Sequence, residues 1–351
     1  MSNPTRVAAV GLGWVCQNRH LPAMERSPRF DVVGVIDRAP GRAAEIAGKR
    51  GYRHYSEAST LGDVDWLDEV DAVTVATAPM THFALVKEAI ARGKHVLTEK
   101  PFTMTVGEGT ELLADAHAAD RRLGIVHNFQ FARSTRRLFD DLASGALGTI
   151  RGVDAVQFGN PGRRLPSWCE ELPMGLFYDE SPHLLYLLRA VAGQLSLARS
   201  LVVPSQTGLT TPARIEAYFR STQTHCPIRL SCNFESPISE WYLMVSGEQG
   251  LGIVDIFRDI YIRLPNDGRH DTLKVLRTSR VATFQHWLQH LTSGIPHLTG
   301  RLSYGNDELF DRFGRAIAGD SAALDPIDGA SALAILTLQH AIIDSAEAIY
   351  A

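Results

Sequence analysis

Short apolar runs alternate with helix-like stretches through the first third of the chain. The strand-like runs cover residues 6–10, 30–36, 52–55, 70–77, 96–100 and 123–126, and helix-like stretches at 41–50, 83–92 and 106–119 separate them. Residues 70–77 are apolar along their middle, as a strand covered on both faces should be. Strand and helix in turn, joined by short breaks such as Gly93, predict a doubly wound parallel sheet. The rhythm then changes. A helix is predicted over 134–144 and a strand from 148 to 158, followed by runs at 197–203, 213–221, 228–235, 241–246 and 250–256 with no helical pattern between them. Runs of that kind predict an antiparallel sheet.

The chain has 351 residues, enough for two hydrophobic cores. Its 35 Lys and Arg stand against 39 Asp and Glu, so no broad basic field points to nucleic acid or to an anionic membrane, and a small ligand is expected. Cys16, Cys169, Cys226 and Cys232 form no C-x-x-C pair, and no signal peptide or long apolar run is read, which leads us to expect free thiols and a cytoplasmic setting. Repeats and low-complexity segments are absent.

Three stretches carry chemistry. The first strand runs into Gly11-Leu12-Gly13-Trp14-Val15-Cys16, a G-x-G-x-x-G pattern with small cysteine at the third position; its helix would offer amides to a dinucleotide pyrophosphate. Asp37 ends the second strand 21 residues past Cys16, where a carboxylate accepts hydrogen bonds from a ribose diol and disfavours a 2′-phosphate. This favours NAD over NADP, a preference that Arg38 and Arg42 blunt. Second, a short apolar strand at Val96 and Leu97 ends in Thr98-Glu99-Lys100 before Pro101, which delivers an ammonium group on a stiff turn to the carboxyl edge of the sheet. Third, Asp179 and His183 share one face of a helix turn at i,i+4, with Pro182 suited to that helix's first turn. An aspartate that orients an imidazole suits a proton relay. His286 and His290 also stand at i,i+4 but have no third ligand, so no metal is assigned, and Cys226 and Cys232 are read as structural.

The segment Ala76-Thr77-Ala78-Pro79-Met80-Thr81-His82, together with Ala89 through Pro101, resembles the Gfo/Idh/MocA oxidoreductase family. The resemblance implies an N-terminal Rossmann domain over 1–127, and over 128–351 an α+β domain with a large open, mostly antiparallel sheet that supports homodimer or homotetramer contacts. It implies a secondary hydroxyl or ketone of a sugar, aminosugar, nucleotide sugar or cyclitol as substrate, exchanging a hydride with NAD. Lys100, Asp179 and His183 match the family's catalytic positions. Gly11, Leu12, Gly13, Trp14, Val15, Asp37, Arg38, Ala76, Thr77, Pro79, His82, Glu99, Lys100, Asn128 and Trp168 are the expected cofactor contacts. The chain departs from the pattern at Pro173-Met174-Gly175 in place of a triple glycine, at Ser181 in place of glycine, at Tyr186 where an aspartate often stands, and at Cys169 where arginine follows the tryptophan. These changes reshape the substrate loop. The alternative is a protein that binds NAD(H) and regulates without turnover.

Overall fold

The computed structural model describes residues 3–163, 165–269 and 271–349, which divide into two compact units. In the first unit, β1 (Thr5–Val10), β2 (Phe30–Ile36), β3 (His54–Ser56), β4 (Ala72–Val75), β5 (His95–Thr98) and β6 (Leu123–Ile125) form a sheet in the order β3-β2-β1-β4-β5-β6. Every neighbouring pair is parallel. The strands alternate with α1 (Leu21–Arg26), α2 (Arg42–Arg50), α3 (His82–Ala91) and α4 (Val106–Ala118). Leu85, Val86, Ala89 and Ile90 fall on one stripe of α3 and join Val73, Val75 and Val96 in the core. Thr105 and Glu108 start α4 with reciprocal side-chain-to-backbone bonds of 3.2 and 3.0 Å. The strand order reverses between β1 and β4, and ligands of open parallel sheets bind beyond the strand ends at such a point.

The second unit contains α5 (Arg133–Ala143), β7 (Ile150–Phe158), α6 (Leu176–Ala192), β8 (Leu195–Val203), β9 (Arg214–Ser221), β10 (Ile228–Asn233), β11 (Glu240–Gly247), β12 (Gly250–Asp255), β13 (Ile260–Pro265) and α7 (Thr272–Leu298). With β14 (Glu347–Ala348), its eight strands run β13-β12-β11-β7-β10-β9-β8-β14, all antiparallel except the β7/β10 and β8/β14 pairs. α6 packs on β7, β10 and β11. Pro182 does not open α6 as the sequence suggests; the helix begins at Leu176 and carries the proline inside. A proline there leaves the carbonyl four residues back without its helical donor. Gln339 supplies one instead, its Nε2 donating to Tyr178 O at 2.7 Å and to Ser181 Oγ at 2.9 Å.

The remaining elements are α8 (Asn306–Ile317) and α9 (Gly329–Ser345). A single second domain over 128–351 does not describe them, because Gly305–Thr337 belongs to the first unit. The reason is the apolar face of α8. Leu309, Phe310 and Phe313 are buried, and Phe310 meets the rings of His20 and Phe30 edge-on at 5.2 and 6.1 Å. Arg26 and Arg29 pair with Asp307 and Asp311 at 2.6 Å each along the rim of that contact. Among the described residues no helix is long and apolar enough to cross a membrane.

Candidate active site

The end of β1 is built by close approach. Gly11 sits at φ +84°, and a Cβ placed on it would lie 2.5 Å from Thr77 Cγ2 and 2.8 Å from the backbone of Ala76, so only glycine lets β1 end against the end of β4. Gly13 differs, because a Cβ there would meet nothing within 4 Å. The helical segment that follows makes its first bond from Gln17 N–H to Gly13 O at 3.1 Å, so the amides of Trp14, Val15 and Cys16 lie before any intrahelical partner. Leu12 and Cys16 are buried, whereas Trp14 and Val15 face solvent. Burial pushes the Cys16 thiol up to about 12, which leaves it a packing residue. At the end of β2 the Asp37 carboxylate accepts Leu12 N–H at 2.7 Å and Ala39 N–H at 2.8 Å. Arg42, not Arg38, is the guanidinium beside it, at 3.5 Å.

Lys100 follows β5 and stands on a buried network. Glu99 continues the pairing with β4 through its N–H to Val75 O at 2.8 Å, and its Oε2 accepts Lys100 N–H at 3.1 Å. Its other oxygen meets His20 Nε2 at 2.9 Å, and His20 Nδ1 meets Thr74 Oγ1 at 3.0 Å. Burial pushes the Glu99 carboxyl up, but the bond and charge from His20 and the nearby Lys100 ammonium outweigh it and hold the group below its ordinary value. His82 is fully enclosed. Its ring nitrogens lie 2.8 Å from Pro101 O and 3.1 Å from Thr77 O, and burial pushes it below the usual histidine value. That places His82 behind the loops as a tie between them, in place of the direct cofactor contact expected from its position. Pro79 is buried in the turn Pro79–Thr81, where Thr81 Oγ1 donates to Thr77 Oγ1 at 2.7 Å. Asn128 is buried and begins the turn Asn128–Phe131.

In the second unit α6 puts Asp179 and His183 one turn apart on the same side. The His183 ring lies 4.6 Å from Phe129 and 5.6 Å from Trp241, centroid to centroid, and its Nδ1 is 3.0 Å from Tyr186 Oη. That hydroxyl also accepts Phe129 N–H at 2.9 Å, so it ties the ring to the start of the unit's chain. Trp168 is half-buried on the short helix Ser167–Glu171. Among the described residues no group of three His, Cys, Asp or Glu could hold a metal ion.

Residues 5–127 match the model of an oxidoreductase family with an NAD-binding Rossmann fold, which carries the name Gfo/Idh/MocA. Residues 5–127 thus form a Gfo/Idh/MocA-type NAD-binding domain. It is 28% identical over 187 residues to an uncharacterised oxidoreductase, YdgJ, of Escherichia coli, covering 53% of each chain. It is 32% identical over 156 residues to the dTDP-3,4-didehydro-2,6-dideoxy-alpha-D-glucose 3-reductase of Actinomadura kijaniata, covering 44% of this chain and 46% of that one. The chain thus spans about half the length of the curated relatives it matches. In fold it is similar to the WlbA dehydrogenase of Bordetella pertussis, solved with NADH and UDP-GlcNAcA, at TM-score 0.78 and 18% identity over 99% of this chain and 96% of that one.

Open space at Gly13, a helix start beside it and a carboxylate at the β2 end are what an NAD-binding member of this family needs, and they fit the dinucleotide. Two residues that support Lys100 and His183 escaped the sequence reading. His20 lies 79 residues from Glu99 and no spacing links them, although a histidine on the first helix of a dinucleotide fold was a polar residue in an otherwise buried place. Tyr186 stood out only as a departure from the family pattern.

Proposed function

We propose that this chain is an NAD(P)-dependent oxidoreductase that interconverts a secondary alcohol and a ketone on a sugar, aminosugar, nucleotide sugar or cyclitol, with NAD preferred. The observation that carries the reading is Lys100, set at the carboxyl edge beside the strand-order reversal on a Glu99 that His20 keeps ionised. In the oxidative direction His183 takes the hydroxyl proton on its ring, Asp179 and Tyr186 orient that ring, and the Lys100 ammonium stabilises the developing alkoxide. Nicotinamide, when bound, supplies the hydride acceptor. A positioned charge of the Lys100 kind is worth about 10²-fold or more in rate, by analogy with oxyanion donors. Asp37, with two main-chain amides already on its oxygens, is a fixed acceptor for an adenosine ribose and repels a 2′-phosphate. Gly11, Leu12, Gly13, Trp14 and Val15 form the pyrophosphate loop, Ala76 and Thr77 flank it, and Asn128 and Trp168 complete the cofactor contacts.

The test is to incubate the purified protein with NAD or NADP and a panel of sugars, aminosugars, inositols and nucleotide sugars while following absorbance of the reduced nicotinamide. Turnover with NAD on a member of the panel is expected. Tight NAD binding without turnover on any of them would instead favour a regulatory NAD(H)-binding protein.

A further inference from the structure

We propose that the outer face of α7 is the surface through which two copies of this chain associate. The inner face is fixed to the sheet. β13 is an edge strand, and two glutamines of α7 take up its outward main-chain groups. Gln289 Oε1 accepts Tyr261 N–H at 2.9 Å and its Nε2 donates to Tyr261 O at 2.6 Å. Gln285 does the same for Arg263, at 2.9 Å in both directions. Four helical residues rise about 6 Å and two strand residues about 6.7 Å, so glutamines at i,i+4 match strand residues at i,i+2. The edge is thereby closed to strand addition, and the rotation of α7 is set.

With Gln285 and Gln289 turned to β13, Phe284, Trp287, Leu288, Leu291, Ile295 and Leu298 share an arc of roughly 100° on the far side, at about 100° per residue. They are 46–87% exposed. Apolar side chains of this size each offer on the order of 150–250 Å² when open to water, so the six expose roughly 800 Å². That is more than the few hundred Å² of contiguous apolar surface a monomer ordinarily shows, and it equals about what each partner buries in a standard stable interface. The steps from 284 to 287, 291, 295 and 298 are three, four, four and three, the seam that helices use when they interdigitate.

Charge selects the occupant and its direction. α7 has no acidic residue, and its only Lys and Arg residues, Lys274, Arg277 and Arg280, lie in its first nine positions. A parallel pair would stack those cations on their counterparts. An antiparallel pair centred on Leu291 joins the two apolar halves and sends each cationic end past the carbonyl-rich terminus of its partner helix, where positive charge is favoured. The apolar half carries no Lys or Arg to draw a lipid headgroup, so a second copy fits better than a membrane surface.

Sedimentation velocity on the full chain over a concentration series tests this. The wild type is expected to associate, and Leu291→Glu, which sets two carboxylates near the symmetry axis, to weaken association about a hundredfold or more. Trp287→Gln, which removes apolar area without adding charge, should act in the same direction to a smaller extent, with both variants keeping the wild-type melting curve in dilute solution. Loss of one interface of a tetramer in Leu291→Glu would equally support the proposal. It is overturned by a wild type that stays monomeric at every soluble concentration, by association that both variants leave intact, or by a monomer that binds phosphatidylserine vesicles through α7.

Discussion

Gly11 and Gly13 stand two residues apart in one loop, yet alanine at each should fail for a different reason. At Gly11 the new Cβ is forced to 2.5 Å from Thr77 Cγ2 on a backbone at φ +84°. The left-handed conformation costs an alanine roughly 1–2 kcal/mol, and overpacking against the β4 end adds about 1–3 kcal/mol. Gly11→Ala should therefore lose about 2–5 kcal/mol, a fall in Tm of roughly 5–15 °C for a unit of this size. At Gly13 no atom lies within 4 Å of the added Cβ, so stability should hold or rise by up to about 1 kcal/mol. The methyl group nevertheless occupies the approach to the helix amides, and NAD affinity should drop about tenfold or more, which is about 1.4 kcal/mol. Differential scanning fluorimetry and calorimetric NAD titration on both variants separate the two effects. A Gly13→Ala protein that binds NAD like wild type would refute the pyrophosphate assignment, and an undiminished Tm in Gly11→Ala would refute the contact between strand ends.

Breaking the buried pair with His20→Gln should cost about 3–5 kcal/mol. Because Glu99 titrates below its ordinary value, its stabilising share is present above the unfolded carboxyl value and fades as pH falls through the folded one; without His20 the folded value moves back toward the unfolded one, so the loss of stability on acidification should be smaller in the variant in urea melts, and an unchanged acid limb would exclude the pair as its source. His95 gives a second pH dependence. Burial, reinforced by Arg121 and Arg122, pushes its ring down to about 4, and its Nδ1 accepts Arg122 N–H at 2.9 Å as a neutral ring must. The stability tied to that ring is complete above about pH 6.5, the unfolded value, and is lost as pH falls toward 4, so His95→Gln should flatten this limb of the stability curve, and an unchanged limb would exclude His95 as its source. Asp37→Ser should move the NAD to NADP affinity ratio toward NADP, with Arg42 meeting the phosphate; a ratio that does not change would remove Asp37 from the ribose site.

Local pattern was enough to read the parallel sheet, since β1, β4 and β5 are buried runs between amphipathic helices and the glycine loop marks the end of β1. The strands of the second sheet were equally readable as runs. Contacts that join distant residues left no local trace. Nothing near Phe310 says that α8 returns to His20 and Phe30, and nothing near Pro182 says that Gln339 will accept the role of the missing helical donor. The proline was misplaced for that reason, because proline inside a helix becomes tolerable only when a partner from elsewhere takes up the freed carbonyl. Lys100 was legible through its proline and strand, whereas the His20 and Thr74 beneath it were not, because three separate elements build that network.

The central claim is that Lys100 and His183 serve hydride transfer and are not needed to hold the pyrophosphate or the adenosine of the cofactor. On whichever panel member the wild type turns over, kcat should be measured for Lys100→Ala and His183→Ala beside the NAD dissociation constant of each. Both variants are expected to lose at least about 10²-fold in kcat while binding NAD within a small factor of wild type. Wild-type kcat in either variant would contradict the account.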